Sequence, residues 1–164
     1  MFKFVIDSDA LIKLTKSGVL EDFCTHYYSV ITSEVKYECV DEGKKRLHED
    51  AFKIEDFINK KILKIVDIKK PRKIKENLGK WEISTANLYF QEKTSIIVTD
   101  DSTFIKYLEN SNIRFVIPAD IILLMKISRK IDKKTALNYL ENIKGLIRED
   151  VYDDIKKDIT EDSK

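Results

Sequence analysis

Two strand-like, mostly apolar stretches of this chain, residues 2–6 and 95–98, each run directly into a pair of acids. The pairs are Asp7 with Asp9 and Asp100 with Asp101. Ligands of an open α/β sheet bind in the crevice outside the carboxyl ends of its strands, so acids at these positions are placed to do chemistry. Two strands that deliver acids to one edge of a sheet predict a single site.

Further acids belong to helical patterns that follow strands or begin in mid-chain: Glu34 or Glu38 after the second strand, and Glu82 near the start of a later helix. Carboxylates that share a pocket repel one another unless some are protonated or a cation neutralises them. A hard, oxygen-binding ion such as Mg²⁺ or Mn²⁺ meets that need and also binds phosphate oxygens. The pattern predicts a metal-dependent phosphoryl-transfer site; the alternative is that these acids only cap helices.

Composition excludes several other classes of site. Two cysteines, Cys24 and Cys39, are too few for a disulfide scaffold or a zinc cage. Two histidines, His26 and His48, are few for the motifs of a zinc hydrolase or a histidine-based triad. The 164 residues, 43% hydrophobic and 36% charged with a net charge of +1, describe a globular protein. No apolar run has the length of a membrane span and no secretion signal is evident, so we expect a cytoplasmic protein.

Strand patterns alternate with helical patterns along the whole chain. The predicted strands cover residues 2–6, 27–31, 62–68, 95–98 and 113–117. The helices between and after them are expected near 10–16, 33–40, 47–59, 80–92, 102–110, 119–128, 135–146 and 151–159. This order is typical of an α/β protein, here a three-layer α/β/α fold with a central, mainly parallel sheet. We expect one domain over 1–164, with 132–164 as a C-terminal helical extension.

Five segments, in order, carry a resemblance to a known family. They read FVIDSDALIKL at 4–14, ITSEVKYECV at 31–40, GKWEISTANL at 79–88, IIVTDDSTFIKYL at 96–108 and IRFVIPADIILLMKISRK at 113–130. The chain resembles PIN-domain proteins, a family of Mg²⁺- or Mn²⁺-dependent nucleases that includes the VapC-type toxins. The resemblance implies a PIN-like fold and four acids that hold one or two metal ions.

Matched position by position, the resemblance assigns the four acids to Asp7, Glu38, Glu82 and Asp101. Glu34 is the less favoured substitute for Glu38, and the choice between Asp100 and Asp101 stays open. Ser8, Asp9 and Thr99 are expected to support the site, with Asp9 either a further acid near the metal or, as we expect, a helix cap. The candidates for contact with substrate phosphates are Lys70, Arg72, Lys73 and Lys80.

The implied activity is hydrolysis of RNA phosphodiester bonds. In the family mechanism the acids hold the metal ions, and a metal-bound hydroxide attacks the phosphorus. A toxin role further implies an antitoxin partner, and the family commonly forms homodimers. Two alternatives remain. Asp7-Ser8-Asp9 also matches the nucleophile pair of haloacid-dehalogenase-like phosphatases, although Ala10 stands where that family usually has glycine. The other alternative is an inactive PIN-like binding or scaffold module.

Overall fold

The computed structural model describes residues 2–92 and 95–161, and within them the strands form one five-stranded, all-parallel sheet in the order β3-β2-β1-β4-β5. The strands are β1 (Lys3–Ile6), β2 (Ser29–Ile31), β3 (Lys64–Ile65), β4 (Ser95–Val98) and β5 (Phe115–Val116). The predicted parallel sheet is confirmed. The strands expected at 27–31, 62–68 and 113–117 are shorter than predicted; β3 and β5 lie at the sheet edges, where only one neighbouring strand extends the ladder.

Helices cover both faces of the sheet, so the predicted three-layer α/β/α fold is confirmed. They are α1 (Ser8–Ser17), α2 (Leu20–His26), α3 (Ser33–Lys36), α4 (Gly43–Lys45), α5 (Glu49–Asn59), α6 (Lys80–Gln91), α7 (Ser102–Asn110), α8 (Pro118–Ile127), α9 (Lys133–Asn142) and α10 (Glu149–Thr160). A π-helical segment, Tyr37–Glu42, joins α3 to α4, and a 3₁₀ turn, Lys144–Leu146, follows α9.

Alternate side chains of the strands build one large cluster on one face of the sheet and two smaller clusters on the other. Phe4, Ile6 and Val98 pack with the apolar sides of α1, α2 and α8. On the opposite face Val5 packs with α6, and Ile97 packs with α6 and α7. This alternation follows from the pleat, which points successive side chains of a strand to opposite faces. Both faces of the central strands are therefore buried, as parallel sheets require.

Local capping corrects two details of the prediction. Asp7, not Asp9, caps α1, because its carboxylate accepts a hydrogen bond from the Ala10 N–H at 2.8 Å. Asp9 lies one position inside the helix. The helix expected at 135–146 begins earlier, since Asp132 caps it by accepting from the Thr135 N–H, and it ends at Asn142 before the 3₁₀ turn.

The C-terminal helices α9 and α10 contribute to the same core as α1 and α8. Leu140 and Ile159 are buried there, and the Tyr139 hydroxyl donates to Asp22 Oδ2 at 2.7 Å. The final residues of the predicted extension, 162–164, lie outside the described part of the chain. In that part, no helix combines the length and the apolar character needed to cross a bilayer.

Strand order places a switch point next to β1. The chain leaves β1 for β2 and β3 on one side and returns to β4 on the other side of β1. Connections from these strands diverge to opposite faces, which opens a crevice at the carboxyl ends of β1 and β4. Asp7 follows β1 directly, and Asp100 and Asp101 come just after β4.

Candidate active site

Asp7 lies at the centre of this crevice. It is 2% exposed, its N–H donates to the Val98 carbonyl of the neighbouring strand, and its Oδ1 accepts from the Ala10 N–H. The hydroxyl of Thr99, which is itself buried, donates to Asp7 Oδ2. Both carboxylate oxygens are thereby fixed in orientation by groups from β4 and α1.

The structure separates the roles of the two acids that follow β4. Asp101 caps α7, with Oδ1 accepting from the Phe104 N–H at 2.7 Å, and its own N–H donates to Thr99 Oγ1 at 3.2 Å. Asp100 instead contacts Lys13, whose Nζ lies 2.7 Å from its Oδ2. Thr99 thus connects Asp101 to Asp7, whereas Asp100 belongs to an ion pair with α1.

Glu38 and Glu34 are also distinguished by their surroundings. Glu38 is half-buried in the π-helical segment, and its charge interacts with those of Glu82 and Asp9. Glu34, one turn earlier in α3, is exposed. Glu38 is therefore the acid of this pair that faces the crevice.

Glu82 reaches the crevice from the first turn of α6. Its side chain folds back over Gly79, so that a Cβ atom added to Gly79 would collide with Glu82 Oε2. Gly79 has φ −70°, an ordinary value for any residue, so the missing side chain matters here for space and not for backbone conformation. The absence of a Cβ leaves room for the Glu82 carboxylate.

Burial and mutual repulsion raise the pKa values of Asp7, Glu38 and Glu82. Burial raises the pKa of Asp7 to about 7, and the charges of Asp9 and Glu82 add to the rise. Hydrogen bonds from Thr99 and the Ala10 N–H oppose it. Burial likewise raises the pKa of Glu38, and the charge of Glu82 adds to it. The pKa of Glu82 is raised by burial and by Asp101. Glu82 thus interacts electrostatically with each of the other three acids, and none of the four forms a Lys or Arg ion pair among the described residues.

The donor set suits a hard divalent cation. Glu38 and Glu82 each hold one buried carboxylate oxygen, Oε2, that has no hydrogen-bond partner within the described ranges. Such oxygens are costly to leave unpaired, and Mg²⁺ and Mn²⁺ prefer oxygen ligands. Across residues 2–92 and 95–161, no three His, Cys, Asp or Glu side chains stand close enough to hold one ion directly. Mg²⁺ commonly binds through one or two carboxylates and several waters, so the chemistry of the set still fits.

The family model described as DUF3368, a PIN domain, matches residues 3–161. The chain is a PIN-domain protein. Proteins of this family are generally nucleases and usually use divalent metals. A search of curated proteins finds no match. Membership of the PIN family does not support the haloacid-dehalogenase alternative.

A groove of about 750 Å³ opens beside the acids of this PIN domain. Its lining includes Asp9, Lys13, Asp100 and Asp101, together with residues 145–148 of the turn between α9 and α10. The C-terminal part of the chain therefore contributes a wall of the groove as well as part of the core.

Of the predicted substrate-binding cations, Arg72 is held away from the acids by its own contacts, and Lys70, Lys73 and Lys80 are exposed. Lys80 is exposed at the start of α6, two residues before Glu82. The basic loop instead runs along the side of α6: the Arg72 guanidinium stacks over Phe90 at 4.6 Å, and the Arg72 backbone is hydrogen-bonded to Asn87. Phe90 lies about 12 Å farther along the helix axis than Glu82. Lys70 and Lys73 are exposed in the same loop.

Sequence reasoning missed Lys13. Its Nζ bridges Asp9 Oδ2 at 2.8 Å and Asp100 Oδ2 at 2.7 Å, and its side chain is only 15% exposed. The spacing of Asp9 and Lys13, four residues apart on one helix, is a signal for the first contact. No local signal predicts the second contact, because Asp100 is 87 residues away in sequence.

Proposed function

We propose that this PIN-domain protein is a divalent-metal-dependent ribonuclease, with Asp7, Glu38, Glu82 and Asp101 as the acids that hold the metal. The observation that carries the proposal is the convergence of these four acids at the switch-point crevice, where they repel one another and where Glu38 and Glu82 present unpaired oxygens. The exposure of Glu34 and the pairing of Asp100 with Lys13 support this choice of acids.

Each acid has a distinct part in the proposed site. When bound, Mg²⁺ or Mn²⁺ supplies positive charge for the phosphoryl oxygens and makes water a better nucleophile. Asp7 is held in a fixed orientation by Thr99 and the Ala10 N–H, and Asp101 by its role as the cap of α7. Glu38 and Glu82 offer the oxygens that lack partners. Preorganised charges of this kind need little rearrangement during the reaction.

Cleavage of a mixed panel of RNA and single-stranded DNA tests the proposal. We expect the purified protein to cut RNA with Mn²⁺ or Mg²⁺ and not with EDTA. Asp7→Asn, Glu38→Gln and Glu82→Gln should each reduce the rate by about 10²-fold or more, because each removes a charged oxygen that holds the metal, and loss even of an outer-shell partner typically costs about 10–100-fold. Glu34→Gln is the matched control and should retain the rate, because Glu34 is exposed one turn away.

The outcomes separate the alternatives. Full metal-dependent activity in Asp7→Asn and Glu82→Gln would contradict the assignment of the site. Hydrolysis of a phosphomonoester such as p-nitrophenyl phosphate would favour a phosphatase. If the unmodified protein neither cleaves nucleic acid nor binds Mn²⁺, the scaffold alternative is favoured. The toxin role, an antitoxin partner and a homodimer stay predictions from the family resemblance.

A further inference from the structure

Lys13 joins two acids that belong to different parts of the fold. Asp9 lies in the first turn of α1, and Asp100 lies after β4, on the other side of the switch-point crevice. One ammonium nitrogen contacts both, at 2.8 Å and 2.7 Å. The Lys13 and Asp100 side chains are only 15% and 21% exposed, so this pair is screened from water more than a surface ion pair.

Two carboxylates that converge on one point, next to a groove, resemble the ligands of a divalent ion. Mg²⁺ is typically bound by one or two carboxylates, with waters and substrate phosphates completing its shell. In this protein the point of convergence already contains a positive charge that is part of the chain. A divalent ion at the same point would have to displace the Lys13 ammonium or lie against it, and like charges at contact distance repel strongly.

We propose that Lys13 is the resident cation between Asp9 and Asp100: its ammonium offsets one of their two negative charges and occupies the point where they converge, so that the carboxyl ends of β1 and β4 take one divalent cation and not two. This inference rests on the proposed function, because the single ion is the one held by Asp7, Glu38, Glu82 and Asp101. It removes Asp9 and Asp100 from the ligand set and leaves Lys13 beside the groove as a fixed positive charge.

Counting bound Mn²⁺ tests this inference without any nuclease assay. We would titrate the full chain by calorimetry and count unbound Mn²⁺ by electron paramagnetic resonance. The unmodified protein should bind one ion. Lys13→Gln should bind two, because Asp9 and Asp100 then lack their cation, and Lys13→Arg should bind one, because the charge is retained. The double variant Lys13→Gln/Asp100→Asn should return to one ion, which would locate the added ion between the two acids.

A separate variant does not depend on the folding of Lys13→Gln. Asp100→Asn in the unmodified background should still bind one ion with an affinity within about fivefold of the original, whereas loss even of an outer-shell partner of a metal typically costs about 10–100-fold. A loss of binding in Asp100→Asn would therefore overturn the inference.

The remaining outcomes distinguish the inference from the proposed function. Two ions in the unmodified protein, or a single ion in a folded Lys13→Gln variant, would overturn the inference and leave the metal-dependent nuclease intact. No ion in the unmodified protein would overturn the proposed metal site and the inference together.

Discussion

Asp7 is a helix cap, a buried acid and a neighbour of other acids at the same time. As a cap it gains from ionisation, because it accepts the Ala10 N–H at the positive end of α1. As a buried group close to Asp9 and Glu82 it is penalised for ionisation, and the penalty dominates, since its pKa rises to about 7. In the absence of metal, the protonated side chain is therefore favoured in the folded protein across much of the acid range.

This balance predicts a dependence of stability on pH in EDTA. The pKa of Asp7 in the folded protein is above its ordinary value of 3.8, so its favourable contribution is full below about pH 4 and is lost as the pH rises through about 7. The free energy of unfolding, measured with urea, should fall over this range by up to about 4 kcal/mol from Asp7. Asp7→Asn retains a good capping residue and should remove the Asp7 part of this decline, leaving the part that comes from the raised pKa values of Glu38 and Glu82.

Saturating Mn²⁺ provides the companion measurement. A bound cation favours the ionised carboxylate, so the unmodified protein should lose its decline in stability when Mn²⁺ is present, and Asp7→Asn should respond little. An identical pH dependence in Asp7→Asn and the unmodified protein would show that another group is responsible.

At the scale of elements, the acids are positioned by helix starts. Asp7 caps α1, Asp101 caps α7, and Glu82 is the third residue of α6. Helix N-termini carry partial positive charge, which offsets part of the repulsion among carboxylates at one sheet edge. The fold thus tolerates a concentration of negative charge that would be more costly at helix ends of the opposite polarity.

The start of α6 provides a test of this positioning. Gly79→Ala should displace the Glu82 carboxylate, because the added methyl group would occupy its place. We expect Mn²⁺ affinity, measured by calorimetry, to fall by about tenfold or more. Gly145→Ala is the control, since an added Cβ there meets nothing within 4 Å. Equal affinities in the two variants would mean that Glu82 does not need its observed position to bind metal.

At the scale of the whole molecule, the C-terminal helices belong to the folded body. The Tyr139 ring packs against Gly18, which ends α1 with φ +95°, and the Asn142 side chain donates to the Ser17 carbonyl at 2.9 Å. The turn that follows α9 lines the same groove as Asp100 and Asp101. Stability of α9 and α10 is therefore coupled to the shape of the groove.

Core truncation tests this coupling. Leu140→Ala removes a side chain that is 1% exposed in α9 and should cost about 2–5 kcal/mol in the free energy of unfolding. Leu146→Ala, at a position 41% exposed, should change it by no more than about 0.5 kcal/mol. Urea unfolding followed by circular dichroism measures both. A single transition shifted by Leu140→Ala is expected, whereas a separate early transition would show that α9 and α10 unfold independently of the rest.

Features that depend on neighbours along the chain were predictable from the residues alone. A strand that ends in an acid and continues into a helix is recognisable at Asp7 and again at Asp100 and Asp101, because strand periodicity and capping are local. The alternation of strands and helices likewise indicated a parallel sheet covered on both faces. The choice between two nearby capping residues was less predictable: the pattern favours Asp9 as the cap of α1, and Asp7 is the residue that caps it.

Which charges come into contact was not predictable from sequence patterns and follows from the packing of the folded chain. Electrostatic contacts depend on distance in space, and distances between residues far apart in sequence follow from strand order and from the faces to which helices return. The order β3-β2-β1-β4-β5 brings Thr99 to Asp7 and Lys13 to Asp100, whereas the path of the basic loop along α6 takes Arg72 away from the acids. Sequence patterns predict the acids, and packing determines which of them lie near one another.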